Sequence, residues 1–227
     1  MTDTNLDKEY LKGLTILYVE DERDTYELFI PLLSRFCKSV LHGVHGAEGL
    51  DIYRRNPPQI IITDVQMPTM DGLAMAHEIR EMDRSIPIIV VSAFEQAGYL
   101  KRALDIGVDK FVTKPINSKQ IFQCLVDCAH RLRIEAQLKE SEERFRQLFN
   151  DSPEAFAVLE GGSFIDSNRA AERLLRCGRD QLLVLNPESL SPECQPDGRR
   201  SADAFREKTD EVHQSGSLSF EWFFQRC

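Results

Sequence analysis

Short apolar runs punctuate the first half of the chain: LTILYV (14–19), SVLH (39–42), IIIT (60–63), PIIVVS (87–92) and KFVT (110–113). Runs this short and rich in β-branched residues suit strands covered on both faces. Between them the apolar positions change to steps of three and four. Arg23 to Phe36 carries Tyr26, Phe29, Ile30, Leu33 and Phe36 at helical spacing, with Pro31 as an interior kink. Further helices are predicted over Gly46 to Arg55, closed by Asn56-Pro57-Pro58, over Gly72 to Met82, and over about Glu95 to Ile106, closed by Gly107. Strands alternating with helices predict an α/β domain with a doubly wound, five-stranded parallel sheet. Right-handed crossovers place all the strand C-termini along one edge. A polar leader, residues 1–12, precedes this domain, which is placed at 13–130.

From Asn117 the pattern stays helical without a clear break until Asn150-Asp151-Ser152-Pro153. Leu125, Ala129, Leu132 and Ala136 form a stripe that resumes, after a register shift, at Leu138, Phe145 and Phe149. Residues 117–150 are therefore predicted to be a long connecting helix with a mixed-charge solvated face. Only its first part can pack on the first domain, so the rest must meet a second chain or the next domain. A parallel homodimer through this helix is the favoured expectation, and a lone charged helix is the alternative.

A smaller pattern follows. Glu154–Leu159 and Ser163–Asp166 flank Gly161-Gly162, a hairpin signal. Asn168 opens a helix as N-cap, with Gly178 as its stop, and Asp180 to Leu185 reads as a short helix. After a proline-rich loop, a helix from about Ser201 to Ser215 ends at Gly216, and Ser217 to Phe224 reads as a strand.

Composition narrows the picture. The 227 residues are enough for two domains, with 42% hydrophobic residues to fill two cores. The net charge of −9 argues against a nucleic-acid grip. No apolar run approaches the roughly 20 residues of a membrane helix, and the polar N-terminus lacks signal-peptide order, so a cytoplasmic location with no membrane contact is expected. The six cysteines are scattered; Cys124 and Cys128 share a helix face and read as small buried thiols.

The strand ends carry the chemistry. Strand one ends in Glu20 and Asp21, strand three in Asp64, strand four in Ser92 and strand five in Lys114. Carboxylates brought together raise one another's pKa. A divalent cation relieves the conflict, and hard oxygen ligands with room for waters and a phosphate suit magnesium. Lys114 supplies positive charge for a phosphoryl group.

The segments YVEDE (18–22), TDVQMPTMDG (63–72), VSA (91–93) and FVTKP (111–115) together resemble the receiver domain of two-component response regulators, over about residues 13 to 130. The resemblance implies a flavodoxin-like fold in which Asp64 accepts a phosphoryl group from a partner histidine kinase or phosphotransfer protein. It implies magnesium held by Asp21, Asp64 and the Gln66 backbone carbonyl, with Glu20 acting through water. Ser92 and Lys114 would contact the phosphoryl oxygens, and Ser92 with Phe111 would form the switch, a role compatible with Phe111 as plain core. A cis Lys114-Pro115 peptide is implied as well, and Gln66 and Phe94 flank the acceptor, where the resemblance implies that they tune how fast the phosphate is lost.

ERFRQLFNDSPEAFAVLEGGSFIDSNRAAERLL and LSPECQPDGRRSADAFRE resemble a PAS sensor domain, over about residues 141 to 227, with the domain itself placed at 151–227. Two strands of that family's five-stranded sheet are expected beyond Cys227, so an incomplete PAS-like domain and a missing effector, a diguanylate cyclase or a histidine kinase module, are expected. No cofactor is argued there. Cys177 lacks the flavin-adduct motif, His213 reads as a surface residue, and Phe156, Val158, Phe164, Leu174, Phe220 and Trp222 read as core.

The expected function is a phosphorylation-controlled signalling switch that is not itself an enzyme. The alternatives are a pseudo-receiver interaction module and an Asp-nucleophile phosphatase. The latter class wants a second aspartate where Gln66 stands.

Overall fold

In the computed structural model, residues 4–93 and 97–225 are described. They divide into two compact units, Met1–Gln137 and Leu138–Cys227.

The first unit begins with a helix, α1 (Thr4–Leu11), where a polar leader was expected. Leu11 is buried in the core, and the buried Asp7 carboxylate accepts hydrogen bonds from Arg133 Nε at 2.8 Å and His130 Nδ1 at 3.2 Å. These partners lie more than 120 residues away in sequence, which is why a run that is polar in composition still docks. Alternating elements follow: β1 (Thr15–Val19), α2 (Arg23–Leu33), β2 (Ser39–Gly43), α3 (Gly46–Arg55), β3 (Ile60–Asp64), α4 (Gly72–Met82), β4 (Ile88–Ser92), α5 (Ala97–Ile106) and β5 (Lys110–Thr113). Glu95 and Phe94 lie outside the described residues. Pro31 sits in the final turn of α2, which stops at Leu33, three residues short of the expected end.

The sheet is parallel, in the order β2-β1-β3-β4-β5. The three central strands read mainly apolar up to their polar ends because both of their faces are covered. One core, on the face that includes Tyr18, Ile62 and Val91, takes in Phe29 and Leu33 of α2 and Leu125 and Ala129 further on. The other, around Leu17, Ile61 and Val90, is closed by Leu50 and Tyr53 of α3 and by Leu73, Ala76 and Ile79 of α4. Lys114-Pro115 is cis, as the resemblance implied.

One helix, α6, runs from Ser118 to Asp151. Leu125 and Ala129 are buried in the first core and Leu132 packs against it, so that part of the apolar stripe is core and not a dimer seam. The large exposed apolar side chains along α6 are Ile134, Leu138, Phe145 and Leu148.

In the second unit, β6 (Ala157–Glu160) and β7 (Ser163–Ser167) pair antiparallel. Their turn places Gly161 and Gly162 at φ of 57° and 83°, which two glycines adopt at little cost. Asn168 caps α7 (Arg169–Leu175) by accepting from Ala171 N at 2.9 Å. The expected stop at Gly178 is corrected: Arg176 takes the left-handed position, φ 57°, and Gly178 precedes α8 (Arg179–Leu182), where its N–H donates to Gln181 Oε1. Helix α9 (Ser201–Ser215) ends at Gly216, φ 81°, as expected.

Ser217 to Phe224 is not a strand. A strand needs a neighbouring backbone to form a ladder, and here a side chain takes that role. Gln195 accepts from Phe223 N through Oε1 at 3.0 Å and donates to Phe223 O through Nε2 at 3.3 Å. Of the six residues expected in this core, Phe164 is buried and Trp222 half-buried, while Phe156, Val158, Leu174 and Phe220 are exposed; the hairpin and a few short helices offer too little surface to cover them all.

Candidate functional site

Parallel strands bring their C-terminal ends to one edge, and the register sets which residues meet there. Val19 pairs with Thr63, and Asp64 with Val91. Glu20 and Asp21 thus stand one strand from Asp64 on one side. Ser92, one residue beyond the Val91 pair and itself paired with Thr113, stands on the other. Ligand oxygens of Glu20, Asp21 and Asp64 lie within 4.8 Å of one another.

Lys114 follows β5 and is oriented by a backbone bond from its N–H to Ser92 O at 2.7 Å. Its Nζ reaches Asp64 Oδ2 at 2.6 Å and Glu20 Oε2 at 2.9 Å, forming a charge-assisted bridge between two carboxylates. The other Asp64 oxygen, Oδ1, accepts from Val65 N at 2.6 Å. Asp64 is 7% exposed and Glu20 and Ser92 are 1% exposed, whereas Asp21 is open to solvent.

Burial pushes the Glu20 carboxyl above its usual range, and Asp64 adds to the rise against the lowering pull of Lys114. Burial alone would lower the Lys114 ammonium, yet Asp64 and Glu20 outweigh it and hold it above the ordinary lysine value. Tyr18 is held well above the ordinary tyrosine value by burial and by the Glu20 charge beside it. One ammonium against three clustered carboxylates leaves a net negative site built of hard oxygen donors. That donor set fits a divalent cation such as magnesium.

The loop after Asp64 is held in a defined path. Gly72 N donates to Val65 O at 3.0 Å, and Asp71 caps α4 by accepting from Ala74 N at 2.6 Å. A Cβ at Gly72 would overlap the Asp64 carbonyl oxygen and Thr63 Oγ1, so only glycine lets the loop pass so near the strand end. Gln66 is exposed, and its Nε2 donates to the Tyr99 hydroxyl at 3.1 Å. Phe111 pairs in register with Val90, is half-buried and packs against the second core.

The structure therefore brings Glu20, Asp21, Asp64 and Lys114 into one constellation, with Ser92 on the adjoining strand end. Several contributors escaped the sequence reading. Tyr18, His42 (Nε2 to Glu20 O, 3.0 Å) and Tyr99 read as core or surface. Gly72 was legible in principle, from a glycine directly after an N-capping aspartate. Elsewhere, Cys128 is buried and burial pushes its thiol up to about 12, in keeping with an inert core cysteine. His213 is exposed, with Nδ1 2.8 Å from Thr209 O. Among the described residues no helix is long and apolar enough to cross a membrane.

Comparison with known proteins agrees with this picture. Residues 16–126 match the model of the response regulator receiver domain, and residues 143–210 match that of the PAS domain. The chain is 30% identical over 156 residues to the Regulator of RpoS of Escherichia coli (strain K12), which covers 66% of this chain and 45% of that protein. It is 28% identical over 150 residues to the transcriptional regulatory protein GlrR of the same organism, covering 66% and 33%. The chain thus spans less than half the length of these curated relatives.

Among solved structures, the N-terminal domain of an uncharacterized protein from Wolinella succinogenes superposes with a TM-score of 0.52 at 32% identity, covering 54% of this chain and 99% of that one. A response regulator receiver domain protein from Clostridium thermocellum, at a TM-score of 0.50 and 22% identity over 53% and 97%, shows the shared fold. Residues 16–126 are a response regulator receiver domain of the two-component class, and residues 143–210 are a PAS domain.

Proposed function

We propose that the chain is a phosphorylation-dependent switch in which Asp64 is the phosphoacceptor. The observation that carries this reading is the buried Asp64 carboxylate gripped by Lys114 at 2.6 Å beside two further acids. In the transfer, the N–P bond of a partner's phosphohistidine breaks and its electron pair stays on the imidazole, which takes up a proton. A bond forms between an Asp64 oxygen and phosphorus. A carboxylate is a weak nucleophile, so positioning and charge compensation supply most of the catalysis.

The Val65 N–H fixes one carboxylate oxygen, and Lys114 moves its contact from Asp64 to the arriving phosphoryl oxygens. Ser92 hydrogen-bonds the phosphoryl group, and Phe111 turns inward behind it as the bistable element. Asp21, Asp64 and the Gln66 backbone carbonyl would hold magnesium, with Glu20 acting through water; the ion supplies charge neutralisation for a dianionic group. A histidine kinase or phosphotransfer protein is the donor, and the chain acts as a regulatory acceptor.

The receiver module spans 13–130, and the connecting helix expected over 117–150, which is α6 (Ser118–Asp151), passes the signal to the PAS module at 151–227. From there it reaches an effector, a diguanylate cyclase or a histidine kinase module. Two copies pair through the exposed face of α6.

Intact mass after incubation with acetyl phosphate and magnesium tests the acceptor. Wild type is expected to gain one phosphoryl group and Asp64→Asn none. An adduct retained in Asp64→Asn removes the assignment. No adduct on either chain favours a pseudo-receiver, a fixed interaction module.

A further inference from the structure

The loop after Asp64 is tied to α5 by two side chains one helical turn apart. Tyr99 accepts from Gln66 Nε2 at 3.1 Å, and Arg102 NH2 stands 3.5 Å from Asp71 Oδ2. Positions three apart share a helix face, so both ties come from one face of α5. With Asp21, Gln66 and Asp71, these two residues line an open cleft of about 440 Å³. Asp21 belongs both to this cleft and to the acidic cluster, so the cleft adjoins the Asp64 site.

The two ties differ in kind. Asp71 is already fixed as the cap of α4, so Arg102 adds an exposed contact to a settled group. Gln66 is an exposed, rotamer-rich side chain, and ordering it carries an entropic cost that a bond must offset. The Tyr99 ring packs against the second core, which places its hydroxyl where the Gln66 amide can be held.

We propose that Tyr99 is a positioning residue that sets the lifetime of the phosphorylated state by withholding the Gln66 carboxamide from water. The inference rests on Asp64 being the acceptor. Loss of the phosphoryl group is hydrolysis. A water oxygen bonds to phosphorus, and the bond from phosphorus to the Asp64 oxygen breaks with its electron pair returning to the carboxylate. Hydrogen phosphate leaves, and one proton passes to solvent.

A carboxamide next to the acceptor can orient that water, having both a carbonyl acceptor and an NH2 donor. Bound to Tyr99, the amide is held at the cleft mouth with its NH2 engaged. Freed, it can swing toward the reacting water. The position of α5 thereby becomes a control on the duration of the signal.

The experiment follows decay of the phosphoryl adduct on the full chain by intact mass, after loading with acetyl phosphate and magnesium and removal of the donor. It compares wild type, Tyr99→Phe, Gln66→Ala and the double variant. Tyr99→Phe keeps the ring and removes only the hydroxyl. Its half-life is expected to fall about two- to tenfold, the kinetic equivalent of one hydrogen bond. The double variant is expected to decay like Gln66→Ala alone. An unchanged or longer half-life in Tyr99→Phe overturns the proposal, as does the same fold-loss in the Gln66→Ala background. Absence of any adduct on wild type removes the acceptor reading, and this inference with it.

Discussion

Both oxygens of Asp64 are engaged within the fold, Oδ1 by the Val65 amide and Oδ2 by Lys114. A carboxylate so held cannot rotate away and presents a fixed orientation at the strand end. The glycine beside it is equally constrained by space. Gly72→Ala is expected to destabilise the first unit by about 1–3 kcal/mol, the usual cost of overpacking a tight site; a urea midpoint equal to wild type would show that the strand end yields.

Asp7 offers a second test. Burial would raise its carboxyl, but Arg133 and His130 outweigh that and hold it below its ordinary value of 3.8. A lowered folded pKa stabilises the fold above the unfolded value, and that contribution disappears as pH falls through the folded one. Asp7→Asn is therefore expected to lower the urea midpoint at neutral pH, with the gap to wild type narrowing below about pH 4. A gap that does not change with pH would remove Asp7 from the acid response.

Among the elements, α6 carries two different apolar faces. Leu125 and Ala129 are spent on the receiver core, while Ile134, Leu138, Phe145 and Leu148 follow steps of four, seven and three and remain exposed. Steps of three, four and seven are the heptad spacing of a paired helix. Leu138→Glu with Phe145→Glu is expected to convert dimers to monomers in sedimentation and to leave acetyl phosphate labelling of Asp64 intact. A mass unchanged from wild type would place self-association elsewhere or exclude it.

The sequence stripe mixed these two faces, because a buried core position and an exposed helix position both read simply as apolar. The helix itself was legible from the long stretch free of proline and glycine between Asn117 and Ser152. The failed strand over 217–224 has a related cause: aromatic and polar alternation predicts a half-buried ribbon, but a ladder needs a partner.

The two units differ in how their hydrogen bonds are shielded. Residues of β1, β3 and β4 are buried almost throughout, whereas all four residues of β6 are exposed. Local opening follows such shielding, and a two-stranded hairpin is marginal alone. Hydrogen exchange is expected to be slowest in β1, β3 and β4 and far faster in β6; comparable protection would mean that the hairpin is covered in solution.

The first unit's topology was readable from the chain because a parallel, doubly covered sheet writes unbroken β-branched runs and ends them at polar residues. The site was readable for the same reason, since the strand ends that carry Glu20, Asp21, Asp64, Ser92 and Lys114 must share an edge. What only tertiary packing decided were contacts between positions that look ordinary in sequence: Asp7 with His130 and Arg133, Tyr99 with Gln66, and Gln195 with the backbone of Phe223. Short-range pattern records which face of an element is apolar. It does not record which distant partner arrives there, because that depends on the three-dimensional path of everything between.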